Sequence, residues 1–134
     1  MSWNIFTYGS LMFAEVWTRV VAADYRSVRA RLEGHARFEV RDQTYPGMVP
    51  DANSQVAGVL YLDVDDADLA RLDHFEGDDY VRSVLEVICE DGTARAAETY
   101  VYRRPDCLLK TSWQPEAFAM QGFLETYCRD KLDR

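Results

Sequence analysis

Residues 80–102 constrain this chain more than any other stretch. Val81, Leu85, Val87 and Cys89 alternate along residues 80–90 so as to face inward. Asp91-Gly92 is a strong hairpin signal, and residues 94–102 carry the chain back through Tyr102. The result is a long two-stranded antiparallel ribbon, to which the rest of the chain must add strands and helices. Residues 4–8 read as a first strand. Residues 27–32 and 36–41, separated by Gly34, read as strands paired with one another. Pro46, Gly47 and Pro50 predict a loop. Residues 55–63 read as a buried strand, in which Gly58 marks a bulge or a close backbone approach.

Helical spacing appears in three places. Phe13, Val16, Trp17 and Val20 follow the turn Gly9-Ser10-Leu11. A second helix begins at Asp65 or Asp66, side chains that accept the orphan N–H bonds of a first turn. It carries Leu69, Leu72 and Phe75 on one face and ends at Gly77. A third is predicted over residues 115–129, presenting Phe118, Phe123, Leu124 and Tyr127 to the sheet. Strands outnumber helices and short turns join them, so the expected fold is α+β, with a mainly antiparallel or mixed sheet and helices outside it. Whether the sheet closes into a barrel depends on register, which the pattern does not fix.

With 134 residues the expected organisation is a single domain spanning 1–134, burying about 68% of the surface of its unfolded chain. A net charge of −8 argues against nucleic acid or anionic membrane as a partner, because phosphate capture needs clustered Lys and Arg. Arg29 and Arg31 alternate with Val28, Ala30 and Leu32, as on the solvated face of a strand. Residues 1–4 lack the regions of a secretory signal, and no apolar run reaches membrane-spanning length. With Cys89, Cys107 and Cys128 at scattered spacing, a reducing, cytoplasmic setting is expected. No Cys and His residues share a ligand spacing, so no metal is expected.

Two segments carry candidate chemistry. Glu76 closes the second helix beside Phe75 and Tyr80, where unpaired carbonyls and the neighbouring Asp78 and Asp79 favour its neutral form. A carboxyl so placed can take and return a proton; the plainer alternative is a solvated helix-end glutamate. Tyr8-Gly9-Ser10-Leu11 joins strand to helix and can present outward N–H groups to an anion or oxyanion. The alternative is a glycine needed only for positive φ. Ser10 as a nucleophile lacks a Gly-x-Ser-x-Gly frame, and only His35 and His74 are available as its base. Tyr45 and Met48, in the Tyr45–Pro50 loop, could line a pocket. Tyr80 and Arg82 share a strand face, so Arg82 can meet Glu76, another acid or a substrate carboxylate.

The order of five segments is informative beyond each of them. Tyr8-Gly9-Ser10-Leu11, Tyr45-Pro46-Gly47, Gly58-Val59-Leu60-Tyr61, Leu72-Asp73-His74-Phe75-Glu76-Gly77 and Tyr80-Val81-Arg82 together resemble the γ-glutamylcyclotransferase-like, or AIG2-like, family over residues 4–103. The resemblance implies a small mixed β-barrel with flanking helices, and conversion of a small γ-glutamyl amide or peptide to 5-oxoproline and a free amine. It implies Glu76 as general acid and base, backbone groups of Gly9, Ser10 and Leu11 holding the γ-glutamyl moiety, and Tyr8 and Tyr80 as pocket walls, without cofactor or metal. Tyr45 and Arg82 complete the expected substrate contacts. Leu11-Met12-Phe13 departs from the family pattern, in which another small residue often follows the loop, and is expected to alter the pocket on that side. The substrate could be glutathione, a γ-glutamyl amino acid, a γ-glutamyl-amine or an isopeptide. The chain could act as a monomer or a homodimer. The alternative function is a non-catalytic binding module of the same fold for a small acidic metabolite or a peptide.

Overall fold

Two long strands frame the protein in its computed structural model, which describes residues 1–118 and 120–128. They are β2 (Ser27–Val40) and β3 (Pro46–Asp65), preceded by β1 (Ser2–Thr7), a 3-10 turn at Ser10–Met12 and α1 (Ala14–Val20). After β3 come α2 (Asp66–Glu76), the ribbon of β4 (Tyr80–Cys89) and β5 (Ala94–Tyr102), and β6 (Leu108–Ser112). The sheet order is β3-β1-β5-β4-β2-β6, and β3 also pairs with β2, so the sheet curls back on itself and leaves β6 at an edge. Every pairing is antiparallel except the short parallel contact of β1 with β5. The expected α+β fold is present as a curled mixed sheet with helices outside it.

Residues 27–32 and 36–41 are not partners. They are the two halves of β2, joined through Gly34 at φ 77°, and both pair with β3 across a register shift between Glu33 and His35. Nor do Pro46, Gly47 and Pro50 form a loop, because they open β3. Pro46 is the first residue of the strand and Pro50 faces His35 at the bulge, places where a missing N–H is tolerated. At Gly47 a Cβ would lie 2.6 Å from the Tyr102 ring. At Gly58 a Cβ would lie 2.1 Å from the Thr7 carbonyl, so β1 crosses β3 in the close backbone approach the glycine predicts. That crossing delivers the chain into the Tyr8–Leu11 turn.

The ribbon forms with its connection at 90–93, where Gly92 adopts φ 88° and Asp91 accepts from the Thr93 N–H at 2.9 Å. Val87 and Cys89 are buried inside the curl. Val81 is 45% exposed despite sharing their side, because β2 reaches β4 only at Ile88 and Cys89. Phe6, Leu32, Met48, Leu60 and Val87 form a core made of strand residues. A second core, including Ile5, Val16, Trp17, Leu72, Phe75 and Phe123, lies between sheet and helices.

Asp65 caps α2, accepting from the Asp68 N–H at 2.8 Å, and Gly77 ends it at φ 78°. The expected single C-terminal helix is instead a 3-10 turn at Pro115–Ala117, the short α3 (Met120–Phe123) and a π-helical turn at Leu124–Cys128; Arg129 lies outside the described residues. Phe118, at φ −68° and ψ 126°, takes an extended conformation that interrupts the helix, and its ring stacks on Phe13 at 5.0 Å. Edge strand β6 has no alternating pattern and was not expected; four of its five residues are exposed. No described helix is long and apolar enough to cross a membrane.

Candidate functional site

The two cores meet around a narrow cavity with an empty volume of about 420 Å³, including its open mouth. Tyr8, Gly9, Ser10 and Leu11 line one wall, and Phe75 and Glu76 at the end of α2 line another. Tyr45, Pro46, Tyr80 and Tyr100 form a third, and Phe123 and Tyr127 close the fourth. Helix α2 sets the place of Glu76 through two anchors. Leu72 and Phe75 are buried beneath it, and Gly77 donates its N–H to the Asp73 carbonyl at 3.1 Å, stopping the helix one residue beyond the carboxyl. Among the residues that line the cavity, Glu76 is the single carboxyl.

The Tyr8–Leu11 wall has a different origin. Gly9 has φ −126°, so positive φ does not explain it; a Cβ there would sit 2.9 Å from the Pro46 ring, and close approach does. The turn's own bonds run from Met12 N–H to Gly9 O at 3.0 Å and from Phe13 N–H to Ser10 O at 3.2 Å. Neither uses the N–H of Gly9, Ser10 or Leu11. Such a set of backbone donors suits a carboxylate or a developing oxyanion. Phe13 stacks on Phe118, and Met12 and Phe13 do not line the cavity, so the bulk after the turn narrows it only through Leu11.

Five phenols surround Glu76. The Tyr8, Tyr45, Tyr80, Tyr100 and Tyr127 hydroxyls all have pKa values raised above the ordinary phenol range, with burial the leading cause in each. The Glu76 charge adds to every one; it comes second at Tyr8 and Tyr127, behind Asp79 at Tyr45, behind Tyr8 at Tyr80 and behind Asp73 at Tyr100. These rings therefore stay neutral around one carboxyl. Four of the five hydroxyls are also committed: Tyr8 donates to Tyr100 O, Tyr80 to Pro46 O at 2.7 Å, Tyr100 to Asp73 Oδ1 at 2.7 Å and Tyr127 to Phe75 O at 2.7 Å. Ordered phenols of this kind hold a cavity's shape.

Seven of the eight expected site residues thus share one cavity, and Arg82 does not line it. Its Nε lies 3.2 Å from Asp73 Oδ1 and its Nη1 lies 3.3 Å from Glu98 Oε1, and its guanidinium sits 5.9 Å from the centroid of the Trp3 ring. Arg82 does share a face with Tyr80, but its strand position puts it beneath α2, one turn before Glu76. There it ties α2 to the ribbon. Met48 is fully buried in the strand core, away from the cavity. Neither His35 nor His74 lines the cavity with Ser10. Among the described residues no group of three or more His, Cys, Asp or Glu is arranged to hold a metal ion.

Sequence reasoning missed Tyr100, Phe123 and Tyr127 as walls. Tyr100 was within reach of it, because the hairpin register places it opposite Arg82, next to the Tyr80–Tyr102 pair. Phe123 and Tyr127 had no such signal, since only the tertiary path of the last segment brings them to Glu76.

A model of the γ-glutamyl cyclotransferase, AIG2-like family matches residues 5–117. The chain belongs to that family. Among its relatives, AIG2-like protein C from Arabidopsis thaliana is 31% identical over 133 residues, covering 98% of this chain and 73% of the relative. The solution structure of At3g28950.1 from the same plant superposes with a TM-score of 0.74 at 28% identity, covering 97% of this chain and 82% of that one. A structure described as a γ-glutamyl cyclotransferase superposes with a TM-score of 0.68 at 22% identity, covering 77% and 68%, a likeness of fold. The family match includes Glu76 and the Tyr8–Leu11 turn but stops before the Phe123 and Tyr127 wall.

Proposed function

We propose that this member of the family is a catalyst that converts a γ-glutamyl amide or peptide to 5-oxoproline and a free amine. The observation that carries the reading is the shared cavity: one carboxyl, Glu76, and the Gly9-Ser10-Leu11 turn line it together. Glu76 takes a proton from the substrate α-ammonium. The freed amine attacks its own γ-carbonyl carbon, a C–N bond closes the five-membered ring, and the negative charge that develops on the carbonyl oxygen meets the turn's N–H groups. Collapse of that intermediate breaks the original amide bond as Glu76 returns the proton to the leaving nitrogen, and the second proton of the ring nitrogen passes to the freed amine, which departs as an ammonium. Water is not a reactant, and the sequence of steps calls for neither metal nor electron carrier.

Ring closure is intramolecular, so holding the substrate folded supplies much of the rate. The neutral phenols of Tyr8, Tyr45 and Tyr80 serve that purpose as walls. Excluding water beside Glu76 also strengthens every hydrogen bond made there. The substrate class is a small γ-glutamyl compound, whose identity among glutathione, γ-glutamyl amino acids, γ-glutamyl-amines and isopeptides is set by the far side of the cavity.

The test is 5-oxoproline release from a panel of these compounds by the purified protein and by Glu76→Gln. Release from at least one compound, lost in a folded Gln variant, is the expected result. Full turnover by Glu76→Gln overturns the role of the base. Saturable binding across the panel without any turnover would make the chain a binding module instead.

A further inference from the structure

We propose that Arg37 is a positioning residue for the proposed reaction, aiming the Gly9 N–H into the cavity from behind the Tyr8–Leu11 turn. The inference rests on the reading of that turn as the substrate's anion-holding wall. Arg37 lies on β2 opposite Met48 and does not line the cavity. Its Nη1 lies 2.7 Å from the Tyr8 carbonyl oxygen, 3.2 Å from the Ala57 carbonyl oxygen and 3.7 Å from the Met12 sulfur. The guanidinium sits 5.2 Å from the centroid of the Trp113 ring, which covers it. Burial lowers the pKa of Arg37 from its ordinary value, while the charge of Glu116 opposes that shift. A guanidinium still carries its charge in such a place.

The Tyr8–Gly9 peptide is the joint between two regular elements. The β1 ladder ends at Thr7, opposite Val59, and the bonding of the 3-10 turn starts at the Gly9 carbonyl. Between them the Tyr8 carbonyl is held by Arg37. In a trans peptide the C=O and the following N–H point in opposite directions, and no cis peptide is present. A cation on the carbonyl side, away from the cavity, therefore turns the Gly9 N–H toward it. Charge-assisted bonding to the carbonyl also polarises the peptide, making that N–H a stronger donor to a carboxylate or an oxyanion. The second contact, to Ala57, ties the joint to β3. Arg37 has no special standing in the pattern, where it alternates with apolar residues like any exposed strand arginine.

Arg37→Met and Arg37→Lys in the full chain test this. In 5-oxoproline release, Arg37→Met is expected to lose about 10- to 100-fold in kcat/KM, less than the direct loss of an oxyanion donor. Arg37→Lys should recover part of it, since an ammonium can reach one carbonyl but lacks the planar fork. A loss in kcat assigns the Gly9 N–H to the oxyanion, and a rise in KM assigns it to the substrate carboxylate. The activity-independent readout is the Gly9 amide proton during titration with 5-oxoproline, expected to move in wild type and to move less in Arg37→Met. Urea unfolding separates folded from unfolded variants, and Arg37→Lys stands in where Arg37→Met does not fold. Wild-type kcat/KM in a folded Arg37→Met, or a Gly9 amide that responds identically or not at all, overturns the inference. Wild-type protein silent on every γ-glutamyl compound overturns the proposed function, and the amide titration then decides the role of Arg37 by itself.

Discussion

Helix α2 carries Asp68 in its first turn and Glu76 at its last residue, and its two ends treat these carboxylates differently. Asp68 is fully buried at the N-terminal turn, where it accepts from the Ala22 N–H at 2.8 Å, the Ala23 N–H at 3.1 Å, the Tyr25 hydroxyl at 2.7 Å and Arg71 Nη1 at 2.5 Å. Burial pushes its pKa up, but those bonds outweigh burial and hold the carboxyl below its ordinary value. Glu76 is half-buried at the C-terminal end, at the negative pole of the helix, where its charge helps to raise the pKa of five neighbouring phenols. The same functional group is a structural anchor at one end and a cavity wall at the other. The lesson is that burial alone does not set the state of a carboxylate: Asp68 is the more buried of the two, yet fixed donors hold it in its charged form.

The comparison breaks most clearly by exchanging the losses. Glu76→Gln is expected to lower 5-oxoproline release by about 10²- to 10⁴-fold, the reach of general acid and base catalysis, while the unfolding free energy measured in urea stays within about 0.5 kcal/mol of wild type. Asp68→Ala is expected to do the reverse. Stranding Arg71, Tyr25 and two loop N–H groups should cost about 3–5 kcal/mol in urea unfolding, with turnover per folded molecule little changed. Equal damage to stability from both variants would erase the distinction.

Arg82→Met sharpens it further. Removing the partner of buried Glu98 should cost about 1–3 kcal/mol and leave KM unchanged, because Arg82 holds the helix and not the substrate. A large rise in KM with constant kcat would return Arg82 to the binding site.

The smallest effects are those of pH. Asp68, held below its ordinary value in the fold, adds stability that is complete above the unfolded carboxyl value of about 4 and is lost as pH falls through its lower folded value. Tyr25 has its pKa pushed up to about 12 by burial and then by its hydrogen bond to Asp68. Its contribution is complete below the unfolded phenol value of about 10 and is lost as pH rises through about 12. Thermal unfolding from pH 3 to 12 should show both limbs in wild type and a diminished acid limb in Asp68→Ala.

Local chemistry explains what was legible. The Asp65 cap, the Gly77 stop and the Asp91-Gly92 turn are decided within a few residues, so α2 and the ribbon could be placed from the pattern. Glu76, Tyr8, Gly9, Ser10, Leu11, Tyr45 and Tyr80 could be named because each sits at or beside such a landmark. Pro46, Gly47 and Pro50 misled for the same reason: they are local punctuation, overruled here by pairing along the whole of β2. Arg82 was misassigned because a strand face tells which side a residue takes and not what covers that side.

The sequence by itself determined the ribbon, the capped helix and the amino acids able to carry a proton or to bare an amide, since those properties belong to short segments. Only the tertiary structure decided that Arg37 grips the Tyr8 carbonyl, that Asp73 and Glu98 claim Arg82, and that Phe123 and Tyr127 wall the cavity. These contacts join residues 9 to 52 positions apart along the chain. They follow from how a curled sheet closes, which no local pattern encodes.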